Sequence, residues 1–468
     1  MNGNLNLLVP GDDDFSKVYI HNRTSIMRKY NLNGWTEFKK VRKLLNECPE
    51  LNDLVIETLE VNGESKFSIH PIVQFSQPYQ WSMAQYLDAL RTHFYLLELL
   101  ERRGFTLKDA LPNNYSFFRG KCLLVDLSSI IELETLPNLS WINQRNQKKA
   151  LKFIRKQMLF PFFIYPFLIG LFANESVMRK VLRERYCNSG VKPINFKELL
   201  VTIYRNSRKF FPLAIVYLVF YNMLINISFQ RYFTKINLYF ISILERMNQQ
   251  SNYTQYYDEK DENHAVEETE RFNEKQQAIF NVLRQSKYMS LLDFGCNTGW
   301  YSKLASSLGI KVNAIDIDSA CISNLFKETR RNYLDINCFV VNFEEFEIFG
   351  KSNLDLRQKE YFEFFEEFIV SDIVLALGLV HHLVLGMNKS ITSIFEILNK
   401  FTNRILILEF VSLNDEKICD HKDFFPFYDQ NFRDYSRENF LKIGKLFYTN
   451  VTILESYPHS RSLLIFER

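Results

Sequence analysis

Two carboxylates and two glycines stand at spacings that suit binding of a nucleoside. Asp293 closes a short apolar run that begins at Ser290, and Gly295, Asn297, Thr298 and Gly299 follow in a turn. A helix is predicted from Trp300 to Leu308, so the turn sits at a helix N-terminus, where the peptide dipoles favour polar ligands. Gly295 and Gly299 permit a tight turn and close backbone approach. Asp293 is placed to orient that turn and to meet an ammonium group. After Gly309 a second predicted strand, Lys311–Ile315, ends at Asp316. An acid about 20 residues beyond the turn is at the distance from which a carboxylate bonds both ribose hydroxyls.

This order of strand, turn, helix, strand and acid does not by itself separate S-adenosylmethionine from a nicotinamide dinucleotide. Dinucleotide sites favour a G-x-G-x-x-G run whose small residues admit pyrophosphate. Here Asn297 replaces the second glycine, and Tyr301 or Ser302 stands where the third would be. S-adenosylmethionine has no pyrophosphate, and the D-x-G-x-N-T-G run resembles the first motif of SAM methyltransferases, a resemblance that implies SAM as the cofactor. A third strand, Ile336–Val341, delivers Asn342 as a polar contact for adenine, and a fourth, Ile373–Leu377, brings Leu377 to the same site. His381 and His382 follow just past that strand, at the edge where ligands bind in open α/β sheets. One of them is expected to touch the methyl acceptor as general base or hydrogen-bond partner. The alternative is that both are structural.

The elements that must hold these residues form an α/β domain, Rossmann-like and seven-stranded, over 272–468. Its fifth strand is Arg404–Val411, and Val451–Glu455 and Ser462–Glu467 form a closing antiparallel hairpin. Residues 1–140 read as an α+β domain, with strands at Leu54–Leu59, Lys66–Ile69 and Lys121–Asp126 and a helix at Trp81–Arg103. Residues 141–250 form an apolar helical bridging region, and 251–271 a linker. A balance of 57 basic to 54 acidic residues predicts no nucleic-acid partner. Seven scattered cysteines, with no C-x-x-C pair, predict free thiols in a reducing compartment and no metal site. Met1–Phe15 lacks the basic start of a signal peptide, so a cytoplasmic location is expected. Gln157–Asn174 and Phe210–Gln230 are long enough to span a bilayer, but both contain proline and lack an orientation bias. They read as buried helices, with peripheral membrane contact as the alternative. Arg145, Lys148, Lys149, Lys152, Arg155 and Lys156 are predicted on one solvated helix face.

The runs L-D-F-G-C-N-T-G, D-I-V-L-A-L-G-L-V-H-H-L, I-L-E-F-V-x-x-x-D and S-R-S-L-L-I-F resemble the nodulation-protein NoeA-like SAM-dependent methyltransferases. The likeness continues upstream at Pro78–Ser82, Leu107–Ala110 with Asn114, and Val125–Ser129. Where most relatives carry a Gly-Trp segment before the fourth strand, this chain has the acidic, aromatic run Tyr361–Phe368. The resemblance implies SAM-dependent methylation, with a glycan or glycan precursor as acceptor, and does not fix that acceptor. Asp109 and Asn114, followed by Asp126, also echo the kinase order of catalytic Asp, Asn and strand-end Asp. No glycine-rich phosphate loop precedes residue 80, so the N-terminal domain is expected to be a degenerate kinase-like fold. A bifunctional kinase–methyltransferase and a non-catalytic SAM-binding protein are the competing readings.

Overall fold

The computed structural model describes residues 6–7, 16–22, 25–61, 66–186, 194–206, 265–266, 268–285, 288–348 and 356–468, with isolated positions at 212, 215, 235, 237 and 239. The chain divides into two compact units. The first holds Met1–Gln249 with Asn353–Phe362, and the second holds Gln250–Ser352 with Glu363–Arg468.

In the first unit, five antiparallel strands run in the spatial order Asn6–Leu7, Ser16–Asn22, Ser25–Tyr30, Phe67–Pro71, Leu59–Val61. Between the third and the last in that list, the chain forms the helix Leu32–Glu47. Asn31 accepts from Gly34 N at 2.8 Å and so satisfies one free N–H of its first turn. Phe38, Val41, Leu44 and Leu45 are buried, and Phe38 stacks on Tyr30 at 4.9 Å. The predicted strand at Leu54–Leu59 is not formed. Val55 makes one isolated bridge to Leu124, and the strand lies at Leu59–Val61. Val55 and Ile56 are buried, and their pairing stops at that one bridge, in which Ile56 N donates to Leu124 O at 2.9 Å and Leu124 N to Leu54 O at 2.8 Å. The helix expected at Trp81–Arg103 spans Met83–Glu101, started by a reciprocal cap between Ser82 and Gln85.

Gln157–Asn174 is buried within this unit, where Phe163 and Phe167 pack on Tyr86. Its prolines do break the α-helical ladder. Gln147–Ile154 is α-helical, Arg155–Ile164 is a π-helix containing Pro161, and Tyr165–Phe172 resumes the α-helix with Pro166 in its first turn. The predicted basic face is corrected at one residue. Arg155 begins the π segment and is buried at 4% exposure, while Lys148, Lys149, Lys152 and Lys156 stay in solvent. Burial pushes the Arg155 pKa down to about 10. Among the described residues, no helix is long and apolar enough to cross a membrane. The second stretch weighed as a span, Phe210–Gln230, lies outside the described residues apart from 212 and 215.

The second unit is built on one seven-stranded sheet: β1 Ser290–Phe294, β2 Lys311–Asp316, β3 Ile336–Val340, β4 Ser371–Ala376, β5 Thr402–Val411, β6 Asn450–Glu455 and β7 Arg461–Glu467. The spatial order is β3-β2-β1-β4-β5-β7-β6. All pairs from β3 to β5 are parallel, and β7 pairs antiparallel with both β5 and β6. Nearly every residue of β1, β3, β4 and β5 is buried, as a parallel sheet covered on both faces requires. The helices α1 Glu274–Gln285, α2 Trp300–Ser307, α3 Ser319–Asn332 and α4 Ile391–Phe401 bury their apolar residues. From β1 the chain proceeds to β2 and β3 on one side, then returns to lay β4 on the other. That reversal leaves a crevice at the C-terminal ends of β1 and β4, the place where open α/β sheets bind ligands.

Candidate active site

Strand register brings the candidate residues to one edge. Phe294 is level with Ile315 of β2 and Ala376 of β4, and Ala376 is level with Leu408 of β5. The chain therefore leaves β1, β2, β4 and β5 beside the same crevice. The turn after β1 is wound tightly. Gly295 and Cys296 both donate to Ile315 O, at 2.8 and 3.1 Å, and Gly299 N donates to Cys296 O at 2.8 Å. Gly295, Asn297 and Gly299 have φ of +72°, +52° and +76°. A side chain at Gly299 would also meet Leu325 at 2.5 Å, so space and backbone both demand glycine there.

Asp316 is locked onto this turn. Its two carboxylate oxygens accept from Asn297 N and Asp318 N, each at 2.8 Å. Asn297 Oδ1 accepts from Thr298 N at 2.6 Å, which holds the asparagine in its left-handed conformation. Asp316 is half-buried, and burial pushes its pKa up to about 6 against these N–H donors. Asp293 is buried more deeply, at 3% exposure, and accepts from Ser302 Oγ at 2.6 Å. Burial raises it to about 6 as well, partly countered by Ser302. It therefore braces the turn against α2. Asn342 follows β3, half-buried, with Oδ1 accepting from Glu344 N at 3.1 Å and closing its own turn. Leu377 is half-buried just past β4, ahead of Gly378 at φ +60°.

The histidines differ. His381 is 7% exposed, and its Nδ1 is buried with no hydrogen-bond partner among the described residues. His382 is exposed, and its ring lies 4.2 Å from that of His381, centre to centre. Phe425 packs on both, at 5.8 and 5.5 Å. Burial, then the charges of His382 and Arg461, hold the His381 pKa well below the ordinary value, with Asp415 opposing them. His381 is therefore a neutral imidazole at neutral pH.

Four charged residues that the sequence reading did not single out as site residues lie on the same edge. Glu409, fully buried near the end of β5, accepts from Lys275 Nζ at 2.9 Å and Ser456 Oγ at 2.9 Å. Arg461, first residue of β7, grips Asp415 with Nε at 2.8 Å and Nη2 at 3.1 Å, and its Nη1 stands 4.0 Å from Glu409. Ser460 Oγ adds a third donor to Asp415 at 2.6 Å. For both acids burial pushes the pKa up, yet their partners outweigh it. Asp415 ends at about 2 and Glu409 below its ordinary value. A glutamate inside the apolar run Ile405–Val411 was the available sequence signal. Among the described residues no group of three or more His, Cys, Asp or Glu could hold a metal ion.

The chain is similar to nodulation protein NoeA of Rhizobium meliloti (strain 1021), 23% identical over 453 residues, which cover 89% of this chain and 88% of that protein. No family model matches. Among solved structures, the bifunctional kinase-methyltransferase WbdD is similar over 42% of this chain and 40% of its own, at 15% identity and a TM-score of 0.30. The chain thus matches well under two thirds of WbdD. The N-methyltransferase NodS from Bradyrhizobium japonicum WM9 is similar over 41% of this chain and 93% of its own, at 14% identity and a TM-score of 0.27. Magnesium protoporphyrin IX methyltransferase from Synechocystis PCC 6803, solved with bound SAM, is similar over 48% and 96%, at 12% identity and a TM-score of 0.29.

Proposed function

We propose that the second unit is a SAM-dependent methyltransferase acting on an oxygen or nitrogen nucleophile, with a glycan or glycan precursor as the acceptor class. The observation that carries this reading is Asp316, held by Asn297 N–H beside the glycine turn at the switch point of the sheet. Its carboxylate accepts the backbone N–H groups of Asn297, Asp318 and Ile317, and of its four acceptor positions one is left for a ribose hydroxyl. The left-handed residues of the turn let the backbone approach a ligand closely. These residues fit the cofactor: Asp316 for the ribose, the Gly295–Gly299 turn for the amino-acid end, Asn342 and Leu377 at the flanks. S-adenosylmethionine supplies a sulfonium methyl group that a nucleophile takes by direct displacement.

The chain's own work is then to align the acceptor and take its proton. Alignment alone supplies about 7–11 kcal/mol in well-oriented systems. In this reading His381 accepts the proton. It is neutral at neutral pH, its Nδ1 has no partner among the described residues, and Asp415 lies near enough to favour the imidazolium that forms. Calorimetric titration with SAM, in parallel with Asp316→Ala, tests the cofactor. Binding by the wild type and loss in the variant are expected, and a folded wild type that does not bind overturns the reading. For the base, His381→Gln should keep SAM affinity and lose about 10²–10⁴-fold in turnover. Unchanged turnover removes His381 from catalysis, and His382→Gln then asks the same of its neighbour.

For the first unit we propose a kinase-like fold without phosphotransfer. The supporting observation is Arg28, whose guanidinium holds Asp126 Oδ1 at 3.0 Å. An assay showing ATP turnover abolished by Asp109→Asn would overturn it and favour the bifunctional reading.

A further inference from the structure

We infer that the helix Gln147–Ile154 of the first unit, with Trp141 at its rim, docks the protein on an anionic phospholipid surface. This face takes no part in the proposed methyl transfer. Positions 135–174 hold six basic residues and no acid. Arg155 is drawn into the core, toward the charge of Glu101. The other five, Arg145, Lys148, Lys149, Lys152 and Lys156, are all exposed. None of these five forms an ion pair among the described residues. On the α-helical turns, Lys148, Lys149 and Lys152 share one side, opposite the buried Ala150 and Ile154.

The arrangement works against the helix that carries it. Lys148 and Lys149 stand in the first turn, where the peptide dipoles already concentrate positive charge, and no acid accompanies them. Lys152 follows Lys148 by four residues and Lys149 by three, so like charges sit side by side. Two other helices follow the opposite rule. Glu198 and Glu274 occupy the first turns of Phe196–Asn206 and of α1, with Arg205 and Arg284 in their last turns. A cluster that weakens its own helix is explained by a partner of opposite charge outside the chain. A layer of anionic headgroups meets all five cations at once, whereas a small anion reaches one or two. Trp141 is 40% exposed, and its ring centre lies 6.4 Å from that of Phe153, which follows Lys152 on the helix. An indole beside lysines suits the headgroup boundary, where the ring finds an apolar border and the ammonium groups find phosphate. A net charge of only +3 over the whole chain disfavours nucleic acid as the partner.

Vesicle flotation with the full chain tests the inference, using phosphatidylcholine vesicles with and without phosphatidylglycerol. The wild type should float with the anionic vesicles, stay behind with the neutral ones, and be released by salt. Combining Lys148→Gln, Lys149→Gln and Lys152→Gln should weaken binding about fivefold per charge, so roughly a hundredfold together. The same variant should unfold in urea at a midpoint no lower than the wild type, because the repulsion in the first turn is gone. That separates lost docking from lost folding. Trp141 emission should shift to shorter wavelength on anionic vesicles, and Trp141→Phe should abolish the shift. A shift that persists in that variant removes Trp141 from the contact. Failure of the wild type to float with anionic vesicles, or equal flotation of the triple variant, overturns the inference. So does wild-type binding to a double-stranded oligonucleotide as tight as to the vesicles, which would make the face a general polyanion site.

Discussion

The two units each gather acids and amides into a cluster, and the clusters differ in how much hydrogen-bonding capacity they leave open. In the first unit, Asn114 Nδ2 gives its hydrogens to Asp109 at 2.8 Å and Ser129 at 2.9 Å. Asp126 Oδ1 takes Ser128 N, Ser128 Oγ and the Arg28 guanidinium. In the second unit, Asp316 takes the backbone N–H groups of Asn297, Asp318 and Ile317 at the C-terminal end of β2. The first arrangement is satisfied by its own chain, which suits a structural knot. The second has acceptor capacity to spare, which suits a ligand.

That contrast can be broken or sharpened in order of expected effect. The largest response is expected from Gly299→Ala. The new methyl group meets Leu325 and the backbone must hold a positive φ, so unfolding free energy should fall by roughly 3 kcal/mol and cofactor binding should be lost. Urea unfolding followed at Trp300 measures it, and a wild-type midpoint would refute the packing argument. Second, cofactor affinity should decline as pH falls below about 6, by up to tenfold per unit, because Asp316 takes up a proton there. Asp293 titrates in the same range, so Asp316→Asn, which should flatten the profile, separates the two. Third, the units should respond differently to acid. Burial depresses His70 to about 4 and His93 to about 3, so the stability they carry is complete above about 6.5 and lost as pH falls through that range. In the second unit His381 acts the same way, but Asp293 and Asp316, raised to about 6, favour the fold as pH falls toward 3.8. Hydrogen exchange read peptide by peptide should show the first unit opening at the higher pH. The smallest effect is expected from Arg28→Met, which frees Asp126 at the surface of its knot. Magnesium titration should then detect a weak site that the wild type lacks, and identical titrations would mean Arg28 is not what closes it.

Strand and turn were legible where one local pattern had one physical cause. The glycine turn, the strand-end acids and the apolar strands of the second unit follow from short-range spacing, and β1, β2 and β3 lie within a residue of where it predicts them. Long-range pairings were less visible. Nothing local announces that Lys275 reaches Glu409, or that Arg461 reaches Asp415. The side of His381 that lacks a partner is likewise a property of packing. In the first unit, Val55 and Ile56 were misread because burial with a single bridge leaves the same apolar signature as a full strand. Arg155 was misplaced because it lies four residues past Leu151, at the border between the apolar and basic faces, where periodicity alone does not decide burial.

The position of β7 has a consequence for synthesis. Last of the seven strands in chain order, it lies between β5 and β6. A nascent chain that has emerged only as far as β6 must therefore leave the flank of β5 open, along Ile405–Val411, a run apolar except at Glu409. Until Arg461–Glu467 clears the ribosome, that flank is an unpaired template for any other extended segment. Completion of the sheet thus waits for its last strand, and the interval before it is when the chain most needs shielding from its neighbours.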